Sequence, residues 1–193
     1  MIVWMGMLFA GVFFLFWYNE WIYSLPTPVP KEHIVIQVGE YVDISHQFQT
    51  DLNKPVFLHF FNPTCPCSKF NIPHFKSLVK KYGDQITFAI VVMSKDPYSV
   101  QKIQDKFNLT VPVSFDTTLA ISCGVYSTPQ AVILDTKRKL YYRGNYNKSR
   151  YCTNVNSDYA RMAIDSLLNH TSEPVFSTLA VKAYGCQLPN CTK

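Results

Sequence analysis

Two cysteines one residue apart, Cys65 and Cys67, stand in the segment FNPTCPCSKFNIP, where an apolar run gives way to a stretch with helical periodicity. A sulfur at such a junction meets unpaired N–H groups and the positive end of the helix dipole, which favour its thiolate. The thiolate is the nucleophile of disulfide exchange and the ligand form for soft metals, so a lowered pKa serves either chemistry. Pro66 falls near the first helical position, where its missing N–H costs little. Cys67 is close enough to attack a mixed disulfide on Cys65, and a bridge between the two would close a small, strained ring that exchanges readily. The opposing reading, two buried cysteines acting as small apolar groups, fits a Cys-Pro-Cys at a strand-to-helix junction less well.

His74 lies seven residues after Cys67, two helical turns on and on roughly the same face. With Cys65 and Cys67 it forms the alternative ligand set, a soft site for Cu(I). A lone helical histidine is more often an ordinary surface or core residue, so no metal or other cofactor is expected. Cys123, Cys186 and Cys191 complete part of a set of six cysteines. Cys123 reads as a packed thiol. Cys186 and Cys191, in GCQLPNC, either bridge each other or pin the tail to the domain, and six cysteines allow 15 pairings.

These residues need elements to position them. Pro55 to Phe61 (PVFLHFF) is a short apolar run that fits a buried strand, and Ser68 to Tyr82 a helix with Phe70, Phe75, Leu78 and Val79 on its apolar face. Ile86 to Met93 (ITFAIVVM) reads as a central parallel strand. Tyr98 to Phe107 reads as a helix and Val111 to Phe115 as a short strand. Ala131 to Asp135 and Leu140 to Arg143 flank the polar turn Thr136 to Lys139 as a hairpin would. Ser157 to Asn169 opens on an N-cap residue and continues with helical spacing. His33 to Val38 alternates and predicts a first strand. The order of elements predicts an α/β sandwich.

Ile2 to Tyr18 contains no charge and, at ~1.5 Å per residue, covers most of a ~30 Å hydrocarbon core. Trp17, Tyr18, Trp21 and Tyr23 then suit a membrane–water interface. A cleaved signal peptide usually has a basic first region and a small-residue cleavage site, and neither is present; an anchor through residues 2–18 is the expectation. The first basic residue is Lys31, so charge says little about orientation. Pro26, Pro28 and Pro30, at every second position, predict an extended stalk. The net charge of +5 comes from scattered Lys and Arg without a clustered patch, which argues against nucleic acid as a partner. Asn108, Asn147, Asn169 and Asn190 head N-x-S/T sequons, relevant only in a eukaryotic source.

At Cys65 and Pro73, and again at Thr128-Pro129 before Ala131–Asp135, the chain resembles the thioredoxin superfamily. Thioredoxins carry a proline eight residues after the first reactive cysteine, and a cis-proline preceded by a β-branched residue at the start of a later strand. The helix and strand between Met93 and Pro129 resemble those of the redoxins, the thiol-specific antioxidant and membrane-anchored thioredoxin-like proteins. The resemblance covers about residues 52 to 170. It implies an α/β, thioredoxin-like three-layer sandwich with a mixed central sheet, preceded by one N-terminal transmembrane helix.

For the site, the resemblance implies that Thr128 and Pro129 face the reactive thiol and hold substrate backbone. It also implies that the end of the hairpin returns to this edge, bringing Cys152 as a resolving partner for Cys65 or Cys67. The departures are specific. Ser68 occupies the place of the resolving cysteine and is counted with the site on that ground. Cys67 replaces the usual proline, Thr64 the tryptophan before the nucleophile, and Asn62 stands where peroxidases of this superfamily have threonine.

The expected organisation is an anchor over 1–24, a proline-rich stalk with an N-terminal strand over 25–50, the thioredoxin-like domain over 51–172 and a cysteine-containing tail over 173–193. The expected function is membrane-tethered disulfide oxidoreductase or isomerase chemistry on protein thiols and disulfides, with the domain on the outer or periplasmic face. The alternatives are a Cu(I)-handling protein and a non-catalytic thioredoxin-like interaction domain.

Overall fold

The structure is a computed structural model that describes residues 2–48, 50–171 and 176–188, without the side chain of Tyr23. Cys191 and the Asn190 sequon lie outside the described residues. Helix α1 (Ile2–Ser24) carries no charge before Glu20, is exposed from Ile2 to Trp21, and meets the domain near its C-terminal end. It is long and apolar enough to cross a membrane, as a signal sequence near an N-terminus also is.

Strand β1 (Val56–Phe61) is the centre of the molecule. It pairs in parallel with β2 (Thr87–Val92) and antiparallel with β5 (Gln130–Leu134), so neighbours on both edges and helices on both faces bury all six of its residues. The parallel β3 (Val113–Ser114) and the antiparallel β6 (Leu140–Gly144) complete a mixed sheet of order β3-β2-β1-β5-β6. Side chains alternate across it. Phe57 and Phe61 join α2 (Pro66–Tyr82), α3 (Val100–Phe107) and α5 (Tyr159–Leu168) on one face. Val56, Leu58 and Phe60 join α4 (Thr118–Ser122) and the segment carrying Val42, Ile44 and Phe48 on the other. These are the three layers of a thioredoxin-like sandwich.

Strand β4 (Ser127–Thr128) precedes the cis peptide bond Thr128–Pro129. It stands apart from the main sheet and pairs antiparallel with β7 (Cys186–Gln187), in the segment that follows the short helix α6 (Thr178–Val181).

His33 to Val38 is not a strand. Ile34, Val35 and Val38 are each more than half exposed, and of its apolar residues Ile36 is the one packed against the core. The segment is held by single contacts instead. Gly39 N–H donates to Leu140 O (2.7 Å), and the Arg143 guanidinium donates to Ile36 O (2.9 Å). Helix α5 starts two residues later than Ser157, whose hydroxyl turns to Asn147 Oδ1; Asp158 is the N-cap, accepting from Arg161 N–H.

Candidate active site

The polypeptide leaves β1 at Phe61 and turns at once. Asn62 Oδ1 accepts from both the backbone N–H and the hydroxyl of Thr64 (2.9 and 2.8 Å), an Asx turn that ends the strand. Asn62 N–H donates to Ser68 Oγ (3.2 Å), tying the turn to the first turn of the helix. Cys65 is the N-cap of α2, extended in backbone and without a side-chain cap bond, and Pro66 is N1. The Cys65 sulfur therefore sits where unsatisfied helix N–H groups gather. Pro73, inside α2, removes one backbone donor from the helix.

Cys65 is joined by a disulfide to Cys186. The two expected partners, Cys67 and Cys152, are not the ones it takes. Cys67 is buried beside the bridge, and the sulfurs of Cys65, Cys67 and Cys186 lie within 4.8 Å of one another. All three are fully buried, in a cluster of sulfur alone. Of the two arrangements open to Cys186, pinning the tail is the one that forms. Thr128 pairs with Cys186 in the β4–β7 ladder, so the cis-proline strand and the start of α2 meet at this disulfide. Ser68 and Thr128 are buried, and Thr128 Oγ1 has no hydrogen-bond partner among the described residues.

The Cu(I) ligand set read from sequence is corrected at one position. His74 does not join Cys65 and Cys67; its Nε2 donates to Asp158 Oδ1 at 3.0 Å, and the third sulfur near them is that of Cys186, held in the bridge to Cys65. Burial alone would raise the Asp158 carboxyl. The hydrogen bond and charge of His74 and the hydrogen bonds from Arg161 outweigh burial and hold it below the usual range.

Cys152 returns to α2, as the hairpin argument requires, but less than two turns further along. The segment docks through Tyr151 against Phe70 (ring centroids 5.0 Å apart), and Cys152 Sγ accepts from Asn71 Nδ2 at 3.0 Å. Burial pushes its thiol up to about 12, and the neighbouring Asp158 adds to the shift. Cys123 is likewise buried on the opposite face of the sheet and raised to about 12. Neither belongs to the sulfur cluster.

A second buried group was missed by sequence reading. His59 lies in the middle of β1, stacked on Phe75 (4.6 Å between ring centroids), with its Nδ1 2.7 Å from Tyr146 Oη. Burial drives its pKa down to about 3, and the nearby His74 contributes. The signal was visible as a histidine inside PVFLHFF, but its partner is 87 positions away.

The end of α1 also reaches this edge. Glu20 accepts from Arg150 and from Tyr151 Oη (2.6 Å), and a cavity of about 200 Å³ there is lined by Glu20, Ser24, Lys148, Ser149, Arg150 and Tyr184.

No curated protein matches the chain. Among solved structures, a hypothetical protein of Sinorhizobium meliloti is similar at 16% identity over 71% of this chain and 80% of that one, with a TM-score of 0.60. An uncharacterized conserved protein of Geobacillus kaustophilus is similar at 18% identity over 79% and 93%, with a TM-score of 0.59. A thiol:disulfide interchange protein of the thioredoxin family from Chlorobium tepidum is similar at 18% identity over 61% and 82%, with a TM-score of 0.48. The family described as "Domain of unknown function (DUF6436)" matches residues 37–189, a range that holds every cysteine of the site, and the chain belongs to this family.

Proposed function

We propose that the protein is a membrane-tethered thiol–disulfide oxidoreductase or isomerase that acts on protein disulfides through Cys65. The observation that carries the reading is the Cys65–Cys186 disulfide at the N-terminus of α2, with the Cys67 sulfur within 4.8 Å of both of its sulfurs. A thiolate from a substrate attacks one sulfur of the bridge, the bridge opens, and the departing sulfur leaves as a thiolate beside the helix N-terminus. Cys67 is near enough to exchange with either sulfur, moving the bridge without net oxidation. Thr128 and Pro129 form the backbone wall of the site, and Ser68 fastens the reactive turn to the end of β1.

A disulfide persists in an oxidising compartment, which supports the reading that the domain lies on the outer or periplasmic side of a membrane crossed by α1. Retention of residues 2–24 in the mature chain, read by N-terminal sequencing, separates anchor from leader. The chemistry is tested on the full chain in detergent by differential alkylation across a glutathione redox series. Reversible opening of the Cys65–Cys186 bridge, with Cys65 labelling first, supports the reading; a bridge that never opens under native conditions leaves an interaction domain with a locked disulfide.

A second reading rests on the same cluster. Once reduced, three sulfurs this close are suited to a soft cation such as Cu(I). Stoichiometric copper retention that needs Cys65, Cys67 and Cys186 together would favour it.

A further inference from the structure

The tail seats itself much as a separate peptide would. Ser127 pairs with Gln187 and Thr128 with Cys186, Leu188 N–H donates to Tyr126 O (3.3 Å), and Ser127 Oγ donates to Cys186 O (3.0 Å). On the other side Thr27 N–H donates to Ala183 O (2.7 Å) and Thr27 Oγ1 to Gly185 O (2.7 Å). Residues 183–188 thus lie in a groove between Thr27 and β4. Gly185 is required there, since a Cβ at that position would stand 2.0 Å from Thr128 O. The segment hangs from α6, which is held separately by Asn145 through the carbonyls of Leu179 and Lys182 (2.8 and 2.7 Å). Strand β4 has no other neighbour among the described strands, so departure of the tail exposes the edge of β4 together with the Cys65 sulfur.

We infer that residues 183–188 are a built-in ligand, occupying the groove that takes an extended, cysteine-bearing segment of a partner polypeptide, and that exchange of Cys186 for the partner's cysteine uncaps the site. The inference rests on the proposal that Cys65 exchanges disulfides. Backbone pairing supplies the affinity and the small residue before the cysteine supplies the selectivity, as in other strand additions to a free edge. A tethered tail competes at high local concentration, so a bare thiol without a matching backbone is disfavoured.

The steps balance. A partner thiolate attacks Cys65 Sγ; the bond to Cys186 breaks, a partner–Cys65 disulfide forms, and Cys186 leaves as a thiolate that takes a proton from solvent. A second thiol of the partner then attacks the partner's own sulfur in that mixed disulfide. The partner leaves with a new disulfide, and the two electrons it has lost reside on the reduced Cys65 and Cys186. In the reverse direction the Cys186 thiolate attacks Cys65 in the mixed disulfide, expels the partner thiol and reseats the tail.

The test uses the full chain in detergent and three thiol probes at equal thiolate concentration: glutathione, a peptide copying residues 183–188, and the same peptide with valine in place of its glycine. Mixed disulfides on Cys65 are counted by mass spectrometry. The copied peptide is expected to react at least ~10-fold faster than either other probe, and Gly185→Val in the protein, which unseats the tail, is expected to widen that gap. Circular dichroism checks that this variant folds. Cys186→Ser, challenged with each peptide as its mixed disulfide with a coloured aryl thiol, asks the same question without disturbing the backbone. Equal rates for all probes in every protein would overturn the capping role while leaving the redox chemistry standing. No exchange with any probe would remove the redox proposal itself.

Discussion

The first turn of α2 and its next two turns face different interiors. At the first turn the neighbours of Cys65 include the sulfurs of Cys67 and Cys186, and the second strand of the contact is a tail segment seated between Thr27 and β4. At Asn71 and His74 the same helix meets a fixed polar network of Cys152, Asp158, Arg161, His59 and Tyr146. Both regions are buried. On the proposed reading, burial of a sulfur whose partner can be exchanged stores a reaction, whereas burial of a sulfur among fixed dipoles suppresses one. On the same reading a Cys65 sulfur released at the N-terminus of α2 is favoured as a thiolate, whereas desolvation raises the Cys152 thiol to about 12. Less than two helical turns separate Cys65 from Asn71, the partner of Cys152.

The sharpest way to break this contrast is to remove each sulfur. Cys65→Ser is expected to abolish disulfide exchange with a small thiol, while Cys152→Ser leaves the rate within about twofold, because Cys152 lies outside the sulfur cluster. Equal losses in the two variants would make Cys152 the resolving residue and erase the distinction.

A smaller but direct measure comes from the fully reduced chain at pH 7. A thiol of pKa about 12 is ionised to roughly one part in 10⁵ there. Cys152 and Cys123 are therefore expected to alkylate at least ~100-fold more slowly than Cys65. Comparable labelling would mean that the region around Cys152 opens in the native state.

How much of this contrast can be seen in the amino-acid order differs between the two regions. Cys65-Pro66-Cys67, Pro73 and Thr128-Pro129 are local signals, and the apolar runs that became β1 and β2 place them at one end of a sheet. The partner of Cys65 is not local. Cys186 is 121 positions away, carried on a two-residue strand that exists only because β4 is there to pair with it. Alternation over His33 to Val38 misled for a similar reason, since a strand needs an edge to join and a face to cover. The polar network is hidden further still. Asn71, His59 and Tyr146 look like ordinary helix, strand and loop residues until the sheet brings them together.

The fixed side should also show itself in pH dependence. Folded His59 resists protonation down to about 3, whereas the unfolded residue takes a proton below about 6.5. Between those values the unfolded chain binds the extra proton, so this contribution is complete above pH 6.5 and is lost as pH falls. At pH 5 the loss is roughly 2 kcal/mol. Urea denaturation of the full chain at pH 7.5 and pH 5 checks it, with His59→Leu expected to flatten the difference by about that amount. An unchanged difference would show that His59 is not held neutral.

The smallest expected effect bears on what Cys152 does. Its sulfur accepts the Asn71 amide, and Asn71 Oδ1 has no partner, so that amide hydrogen bond is what the side chain has at this position among the described contacts. Cys152→Ala removes the acceptor and leaves a buried N–H unsatisfied, at an expected cost of about 1 to 2 kcal/mol in urea denaturation. Cys152→Ser restores an acceptor of similar size and is expected to recover most of that cost. A redox role makes the opposite demand, since serine accepts a hydrogen bond as well as a thiol does but cannot form a disulfide. Stability rescued by serine with exchange unimpaired therefore places Cys152 with the fixed network. Exchange lost in both variants, at whatever stability, places it with Cys65.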